Sequence, residues 1–212
     1  MKKKIWHILW GIIFCTQLLQ AQKHQNYYKY GIDTTQNVPQ GLELYTQAPD
    51  FTASDIFGET VHLSDILSDK YVVLSFYRGE WCPVCNRYMQ NVQDSLAMIT
   101  AKNAVWIAIT PEPIENAEKF VQKNHLDNIV IADTTTAIME KYEVLFSVNE
   151  AYQRKIKLLL RTDIAEHNGQ TTAELPVPAT YLIAPDGKII YKHFDLNYNH
   201  RASVSEVLKH LP

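Results

Sequence analysis

The sequence predicts an α/β fold in which a β-sheet carries helices on both faces. Apolar, strand-like runs alternate with amphipathic helical segments, and the run at residues 71–77 is apolar enough for a strand covered on both sides. A Pro-Asp-Gly turn at residues 185–187 joins two further strands. Hydrophobic residues make up 46% of the 212 residues and charged residues 20%, a composition that suits one globular domain.

Residues 1–21 have the pattern of a secretory signal peptide and are not expected to belong to the fold. Three lysines at positions 2–4 precede an apolar stretch over residues 5–19, and Ala21 provides a small residue before a cleavage site. The stretch has 15 residues, fewer than the roughly 20 needed to span a bilayer. We therefore expect a secreted or periplasmic protein without a membrane span after cleavage. An uncleaved membrane anchor is the alternative.

Removal of this segment changes both the charge and the cysteine content of the chain. It takes away three lysines and no acidic residues, so the formal net charge moves from −3 to −6. This charge argues against nucleic-acid binding, which depends on neutralising phosphates. Cys15 is also lost, which leaves Cys82 and Cys85. One such pair supplies half of the ligands of a structural zinc site, so we expect neither a metal nor another cofactor.

The first part of the mature chain leads up to a buried strand. Polar residues 22–44 predict a linker or loosely attached arm, and we expect the domain to run over residues 45–212. Residues 52–63 predict a hairpin turned at residues 57–59, which is followed by a short helical turn. The apolar run at residues 71–77 then forms the first buried strand.

The elements after this strand alternate between helix and strand. An apolar stripe with helical spacing comes first and includes Cys85, Met89, Val92, Leu96 and Ile99. The remaining predictions are a strand at 104–109, a helix from Pro113, a strand at 129–132, a helix capped by Asp133 or Thr134, an insertion at 149–174 whose first part is helical, strands at 181–184 and 189–193, and a last helix capped by Ser203.

The motif Trp81-Cys82-Pro83-Val84-Cys85 lies between the buried strand and a helix expected to begin near Pro83. Two thiols three positions apart can close a disulfide, and the N–H groups and dipole of a helix N-terminus stabilise a thiolate. The context therefore predicts a redox-active dithiol. Because Cys85 belongs to the apolar stripe, we expect Cys82 to be the more exposed thiol.

Residues 76–87 (FYRGEWCPVCNR) resemble the peroxiredoxin-like branch of the AhpC/TSA family. The resemblance begins at residues 48–51, includes residues 175–180 and 195–201, and covers nearly all of residues 45–211. It implies a thioredoxin-like fold with a central mixed β-sheet. It also implies an oxidoreductase that reduces peroxides or protein disulfides and is itself reduced by an external thiol, such as a thioredoxin-like protein.

The motif departs from the usual pattern of that family, P-x-x-x-T-x-x-C, in which the last cysteine is peroxidatic. On this frame Cys85 takes the peroxidatic position, Cys82 replaces the threonine and Arg78 replaces the proline. Loss of the threonine hydroxyl weakens the expectation of strong peroxidase activity. The second thiol strengthens the expectation of dithiol–disulfide chemistry.

Four residues are expected to support the catalytic pair. Arg78 is placed to lower a thiol pKa or to hold a peroxide oxygen, and Trp81 is expected to cover one face of the dithiol. Pro83 lacks an N–H group and suits the first helical turn. Pro178 resembles the proline that precedes a strand in thioredoxin-like folds, and the resemblance implies a cis bond after Val177.

Several alternatives stay open at this stage. In a thioredoxin-like reaction Cys82 attacks a disulfide and Cys85 resolves the product, whereas in a peroxidase Cys85 attacks first. A binding domain with Cys82–Cys85 as a structural disulfide is the non-enzymatic alternative. Arg87 is expected at the surface, and Arg201 is a weaker candidate than Arg78. His125, His167, His193 and His200 show no ligand spacing, and the oligomeric state is not predicted.

Overall fold

The computed structural model describes residues 27–36 and 38–212. The predicted signal peptide and Cys15 lie outside these residues. Within them, no helix is both long enough and apolar enough to cross a membrane.

The order of elements along the described chain agrees with the predicted alternation. The strands are β1 (Thr52–Ser54), β2 (Thr60–His62), β3 (Tyr71–Phe76), β4 (Ala104–Thr110), β5 (Ile129–Ala132), β6 (Leu145–Ser147), β7 (Glu174–Pro176), β8 (Thr180–Ile183) and β9 (Ile189–His193). The helices are α1 (Leu63–Leu67), α2 (Pro83–Asp94), α3 (Leu96–Ala101), α4 (Ile114–Asn124), α5 (Ala137–Lys141), α6 (Glu150–Leu160), α7 (Ile164–His167) and α8 (Val204–His210).

A five-stranded mixed sheet with the order β5-β4-β3-β8-β9 forms the centre of the fold. β3 pairs in parallel with β4 and antiparallel with β8, while β5 and β9 form the two edges. Val72, Val73 and Leu74 of β3 are completely buried, which is why this strand reads as a continuous apolar run. The predicted α/β class is confirmed, and the end of β3 delivers the chain directly to the cysteine motif.

The helical stripe after the motif is divided between two helices. α2 ends at Ser95, whose hydroxyl donates a hydrogen bond to the Asn91 carbonyl oxygen at 3.0 Å, and α3 follows at once. A serine that bonds back to the preceding turn commonly bends a helix. Met89 and Ile99 are both fully buried, so the apolar face continues across the break.

The described part of the predicted loose arm is packed against the domain. Ile32 is completely buried and forms an antiparallel bridge with Val148. Further along, the Leu42 N–H group donates a hydrogen bond to the Tyr181 hydroxyl at 3.1 Å. A polar composition suggested loose attachment, but a few apolar residues and backbone hydrogen bonds fix this segment.

Residues near the start of the domain pair with both edges of the central sheet. On the β5 side, Asp55 forms an antiparallel bridge with Ile131. On the β9 side, Ile189 accepts a hydrogen bond from the Tyr45 N–H group at 2.8 Å and donates one to the Thr46 carbonyl oxygen at 3.0 Å. The outer backbone groups of both edge strands are therefore partly satisfied.

Candidate redox site

Cys82 and Cys85 lie where β3 gives way to α2. Cys82 is the N-cap of the helix, with φ −89° and ψ 107°, and its Sγ atom accepts a hydrogen bond from the Cys85 N–H group at 3.3 Å. Pro83 occupies the first helical position, where its missing N–H group costs no helical hydrogen bond. The local sequence thus places both sulfur atoms at the positive end of a helix.

The two sulfur atoms form a closely spaced and buried pair. Their Sγ atoms are 2.7 Å apart, and both cysteines have 0% of their surface exposed. The prediction that Cys82 would be the more exposed thiol is therefore wrong. That prediction considered only the faces of one helix, whereas residues from distant parts of the chain cover the helix mouth.

Each sulfur atom is in contact with one guanidinium group. Arg78 Nη2 donates to Cys82 Sγ at 3.0 Å, and Arg201 Nη2 donates to Cys85 Sγ at 3.3 Å. The sequence favours Arg78 over Arg201, yet the structure brings both into hydrogen-bonding distance. Arg87 is exposed, as expected.

The guanidinium of Arg78 is buried between a sulfur atom, a hydroxyl group and aromatic rings. Arg78 is only 3% exposed; Nη1 donates to the Tyr152 hydroxyl at 2.6 Å, and Cζ lies 3.6 Å from the centre of the Tyr198 ring. None of the salt bridges formed by residues 27–36 and 38–212 includes Arg78. A buried cation without a carboxylate partner favours a thiolate nearby.

The two thiols have opposite pKa shifts. Burial raises the pKa of Cys82 well above its ordinary value, and its hydrogen bond with Cys85 adds to the effect. Burial also opposes ionisation of Cys85, but a hydrogen bond from Cys82 and the guanidinium groups of Arg201 and Arg78 lower the pKa of Cys85 well below its ordinary value. These opposite directions favour Cys85 as the thiol that ionises more readily.

The other two supporting residues differ in how they relate to this pair. Trp81 is 8% exposed, and its ring centre lies 5.3 Å from Arg78 Cζ, so it covers the guanidinium. The bond between Val177 and Pro178 is trans, and the predicted cis bond is wrong. A hydrogen bond from the Ala179 N–H group to the Val177 carbonyl oxygen, 2.6 Å long, turns the chain there with the ordinary trans bond in place.

Sequence reasoning missed two residues that shape the surroundings of the motif. Tyr152 reads only as part of a helical face, and nothing in its spacing points to Arg78. Glu112 is fully buried; its Oε1 atom accepts a hydrogen bond from the Glu80 N–H group at 2.7 Å and pairs with His167 Nε2 at 2.6 Å. Its place just after β4, beside the end of β3, is the signal that would have indicated it.

The described residues include no group of three or more His, Cys, Asp or Glu side chains placed to hold a metal ion. The sulfur atoms are instead surrounded by hydrogen-bond donors. These donors suit the site to thiol chemistry.

The fold and this site define a thioredoxin-like domain with a dithiol at a strand-to-helix junction. The sequence profile of the AhpC/TSA family matches residues 44–192, and the chain belongs to that family. The fold is shared with a solved structure, the peroxidoxin BcpB of Mycobacterium tuberculosis. That comparison has a TM-score of 0.62 at 19% identity and covers 80% of this chain and 96% of the other. The predicted family and thioredoxin-like fold are both confirmed.

The similar proteins include two groups, peroxiredoxins and thiol-disulfide oxidoreductases. Peroxiredoxin Bcp of Bacillus subtilis is 32% identical over 103 residues, which span 49% of this chain and 65% of that protein. The thiol-disulfide oxidoreductase ResA of Bacillus cereus is 26% identical over 152 residues, or 71% of this chain and 69% of the relative. Both groups are redox proteins by name, which indicates an oxidoreductase.

Proposed function

We propose that this protein reduces peroxides, with Cys85 as the nucleophile and Cys82 as the resolving thiol. The observation that carries the proposal is the buried pair of sulfur atoms 2.7 Å apart, each with a guanidinium group within hydrogen-bonding distance. This arrangement supplies a thiolate, a second thiol to capture its oxidised form, and positive charge to stabilise the oxygen atoms of a peroxide.

In the first step the Cys85 thiolate attacks one oxygen of the peroxide and the O–O bond breaks. Cys85 becomes a sulfenic acid, and the other oxygen leaves as hydroxide or alkoxide and takes a proton to form water or an alcohol. Arg78 and Arg201 can stabilise the charge that develops on the leaving oxygen. They thereby serve in place of the threonine hydroxyl that the motif lacks.

In the second step the Cys82 sulfur displaces hydroxide from the sulfenic acid. The S–O bond breaks, a Cys82–Cys85 disulfide forms, and the Cys82 proton leaves with the hydroxide as water. The dithiol has then supplied both electrons for one peroxide. An external thiol reductant, of the kind that the family implies, returns two electrons and two protons by thiol–disulfide exchange.

The proposal is tested by counting thiols after reduced mature protein reacts with one equivalent of hydrogen peroxide. We expect the wild type to lose two thiols for each peroxide consumed. Cys85→Ser should abolish rapid consumption, and Cys82→Ser should hold a sulfenic acid at Cys85 that a dimedone-type reagent traps. Equal consumption by Cys85→Ser and the wild type would show that the proposal is wrong.

A second candidate function is thiol–disulfide exchange that starts at Cys82. The position of Cys82 at the N-cap of α2 and the similarity to ResA favour it. It predicts that Cys85→Ser accumulates mixed disulfides with a protein substrate such as insulin. The complete burial of both thiols argues for the smaller substrate. A structural disulfide, the non-enzymatic alternative, would resist mild reductants and would not cycle.

We further propose that the chain is exported and cleaved after Ala21. The three lysines at positions 2–4 and the 15-residue apolar stretch after them support this proposal. Mass spectrometry of protein from the native cell envelope should find Gln22 at the N-terminus. An intact Met1, or recovery of the protein from the cytosol, would contradict it.

A further inference from the structure

We propose that Tyr152 is a specificity-determining residue that closes the dithiol to bulky hydroperoxides and protein disulfides and thereby restricts it to hydrogen peroxide. The inference rests on the peroxide chemistry proposed above and concerns the size of the substrate. Tyr152 belongs to α6, in the insertion between β6 and β7.

The first observation is that Tyr152 is a buried neighbour of the guanidinium group that contacts Cys82 Sγ. Tyr152 itself is 3% exposed, and its hydroxyl accepts the 2.6 Å hydrogen bond from Arg78, whose other nitrogen contacts Cys82. Its ring packs edge-on against Tyr198, with the ring centres 6.0 Å apart. Tyr152 and Tyr198 therefore both pack against the guanidinium group that contacts Cys82 Sγ.

The second observation is that the N-terminal arm holds Tyr152 in place. Gly31 has φ +100°, and a Cβ atom added there would lie 2.9 Å from the Tyr152 ring, so the arm backbone passes directly against the ring. The Asn149 side chain accepts a hydrogen bond from the Tyr152 N–H group at 2.9 Å and donates one to the Tyr28 carbonyl oxygen at 2.8 Å. The ring thus lies between the arm on one side and Arg78 on the other.

These contacts set a limit on the size of a substrate. A reacting atom must come within about 3–3.5 Å of the attacking sulfur. A protein disulfide would have to bring its flanking chain to the same depth, and an aryl hydroperoxide its ring. On this proposal, both movements displace Tyr152 from its contact with Arg78. Hydrogen peroxide has two heavy atoms, and small side-chain movements are enough to admit it.

The test compares the rate constants for oxidation of the reduced dithiol by hydrogen peroxide and by cumene hydroperoxide. We expect Tyr152→Ala to raise the ratio of the cumene to the hydrogen peroxide rate constant at least tenfold. Tyr152→Phe keeps the ring and removes the hydroxyl, so it should slow both reactions by a similar factor and leave the ratio unchanged. The matched control is Tyr45→Ala, at a tyrosine that is 73% exposed. It should change neither of the two rate constants.

An unchanged ratio in a folded Tyr152→Ala protein would overturn the proposal, as would equal reactivity of the wild type toward both peroxides. If Tyr152→Ala does not fold, Asn149→Ala loosens the helix start and the arm while keeping the ring, and the same increase in the ratio is expected from it. An unchanged ratio in Asn149→Ala would equally contradict the proposed role of Tyr152.

A measurement without peroxide separates this proposal from the proposed function. Tyr152 should hinder the labelling of the reduced wild type by a bulky polyethylene-glycol maleimide more than the labelling by iodoacetamide. Tyr152→Ala should therefore raise the rate of maleimide labelling relative to the rate of iodoacetamide labelling. If the wild type does not react with hydrogen peroxide, the proposed function fails, yet the labelling still decides whether Tyr152 limits access. Equal labelling of wild type and variant would show that it does not.

Discussion

Replacement of Arg201 by methionine tests the electrostatic account of the Cys85 thiolate. The substitution keeps an unbranched chain of similar length and removes the guanidinium that donates to Cys85 Sγ at 3.3 Å. Two unit charges about 4 Å apart interact by about 4 kcal/mol at an effective dielectric constant near 20. Arg201 is only half-buried and its charge is spread over three nitrogens, so we take roughly half of that value, about 2 kcal/mol.

A loss of about 2 kcal/mol of this attraction destabilises the thiolate, so the pKa of Cys85 should rise. The thiolate form should then appear at higher pH, and the pH profile of peroxide oxidation should move in the alkaline direction by the same amount. The assay is a titration of thiolate ultraviolet absorbance in reduced Cys82→Ser protein that starts at Gln22 and therefore lacks Cys15, so that Cys85 is its single thiol. Peroxide oxidation of the same samples is followed by stopped flow.

The matched control is Arg87→Met, which removes an exposed guanidinium from the same helix that carries Cys85. It should leave the pKa of the thiol close to that of the protein with Arg87 in place, because solvent screens an exposed charge. An equal shift in the two variants would refute the reasoning, since net charge alone would then explain it. The reasoning would also be refuted if the thiolate titration curve of the Arg201→Met variant overlaid the curve of the protein that keeps Arg201.

The remaining predictions concern the stability of the motif and its support. Met89→Ala should lower the free energy of unfolding, measured by urea titration, by roughly 2–5 kcal/mol, because it opens a cavity in the core next to the dithiol. The control is Met98→Ala, at a side chain that is 53% exposed. It should change the free energy of unfolding by less than about 0.5 kcal/mol. Gly79→Ala should prevent folding or strongly reduce thermal stability, because Gly79 has φ +148° and an added Cβ atom would lie 2.5 Å from Trp81 Nε1. Gly58→Ala should cost only about 1 kcal/mol of backbone strain, because an added Cβ atom there would have no other atom within 4 Å. Equal melting temperatures for the two variants would contradict this account.

Local sequence patterns were enough to predict the alternation of strands and helices and the position of the dithiol. The continuous apolar run of β3 and the C-x-x-C that follows it are encoded within about 15 neighbouring residues. β6 and β7, with three residues each, are too short for a periodic pattern to be seen. The packing of the arm was also missed, because it depends on contacts with distant residues, such as Ile32 with Val148 and Leu42 with the Tyr181 hydroxyl.

The chemical surroundings of the thiols depend on contacts between distant positions. Arg201 is 116 positions from Cys85, and Tyr152 is 74 positions from Arg78. No helical or strand period connects such pairs, so only the folded chain shows that they meet. The error about the exposure of Cys82 has a related origin, because Arg78, which contacts its sulfur atom, is itself buried against the distant residues Tyr152 and Tyr198.

The pairing at the two sheet edges has a consequence for association between copies of this chain. An open edge strand offers a row of unpaired N–H and C=O groups on which another chain can extend the sheet, which is a common route to aggregation. Here Asp55 lies along β5, and Tyr45 and Thr46 lie along β9, so those backbone groups are partly occupied. These contacts shorten the stretch of open edge on which a second copy of the chain could extend the sheet.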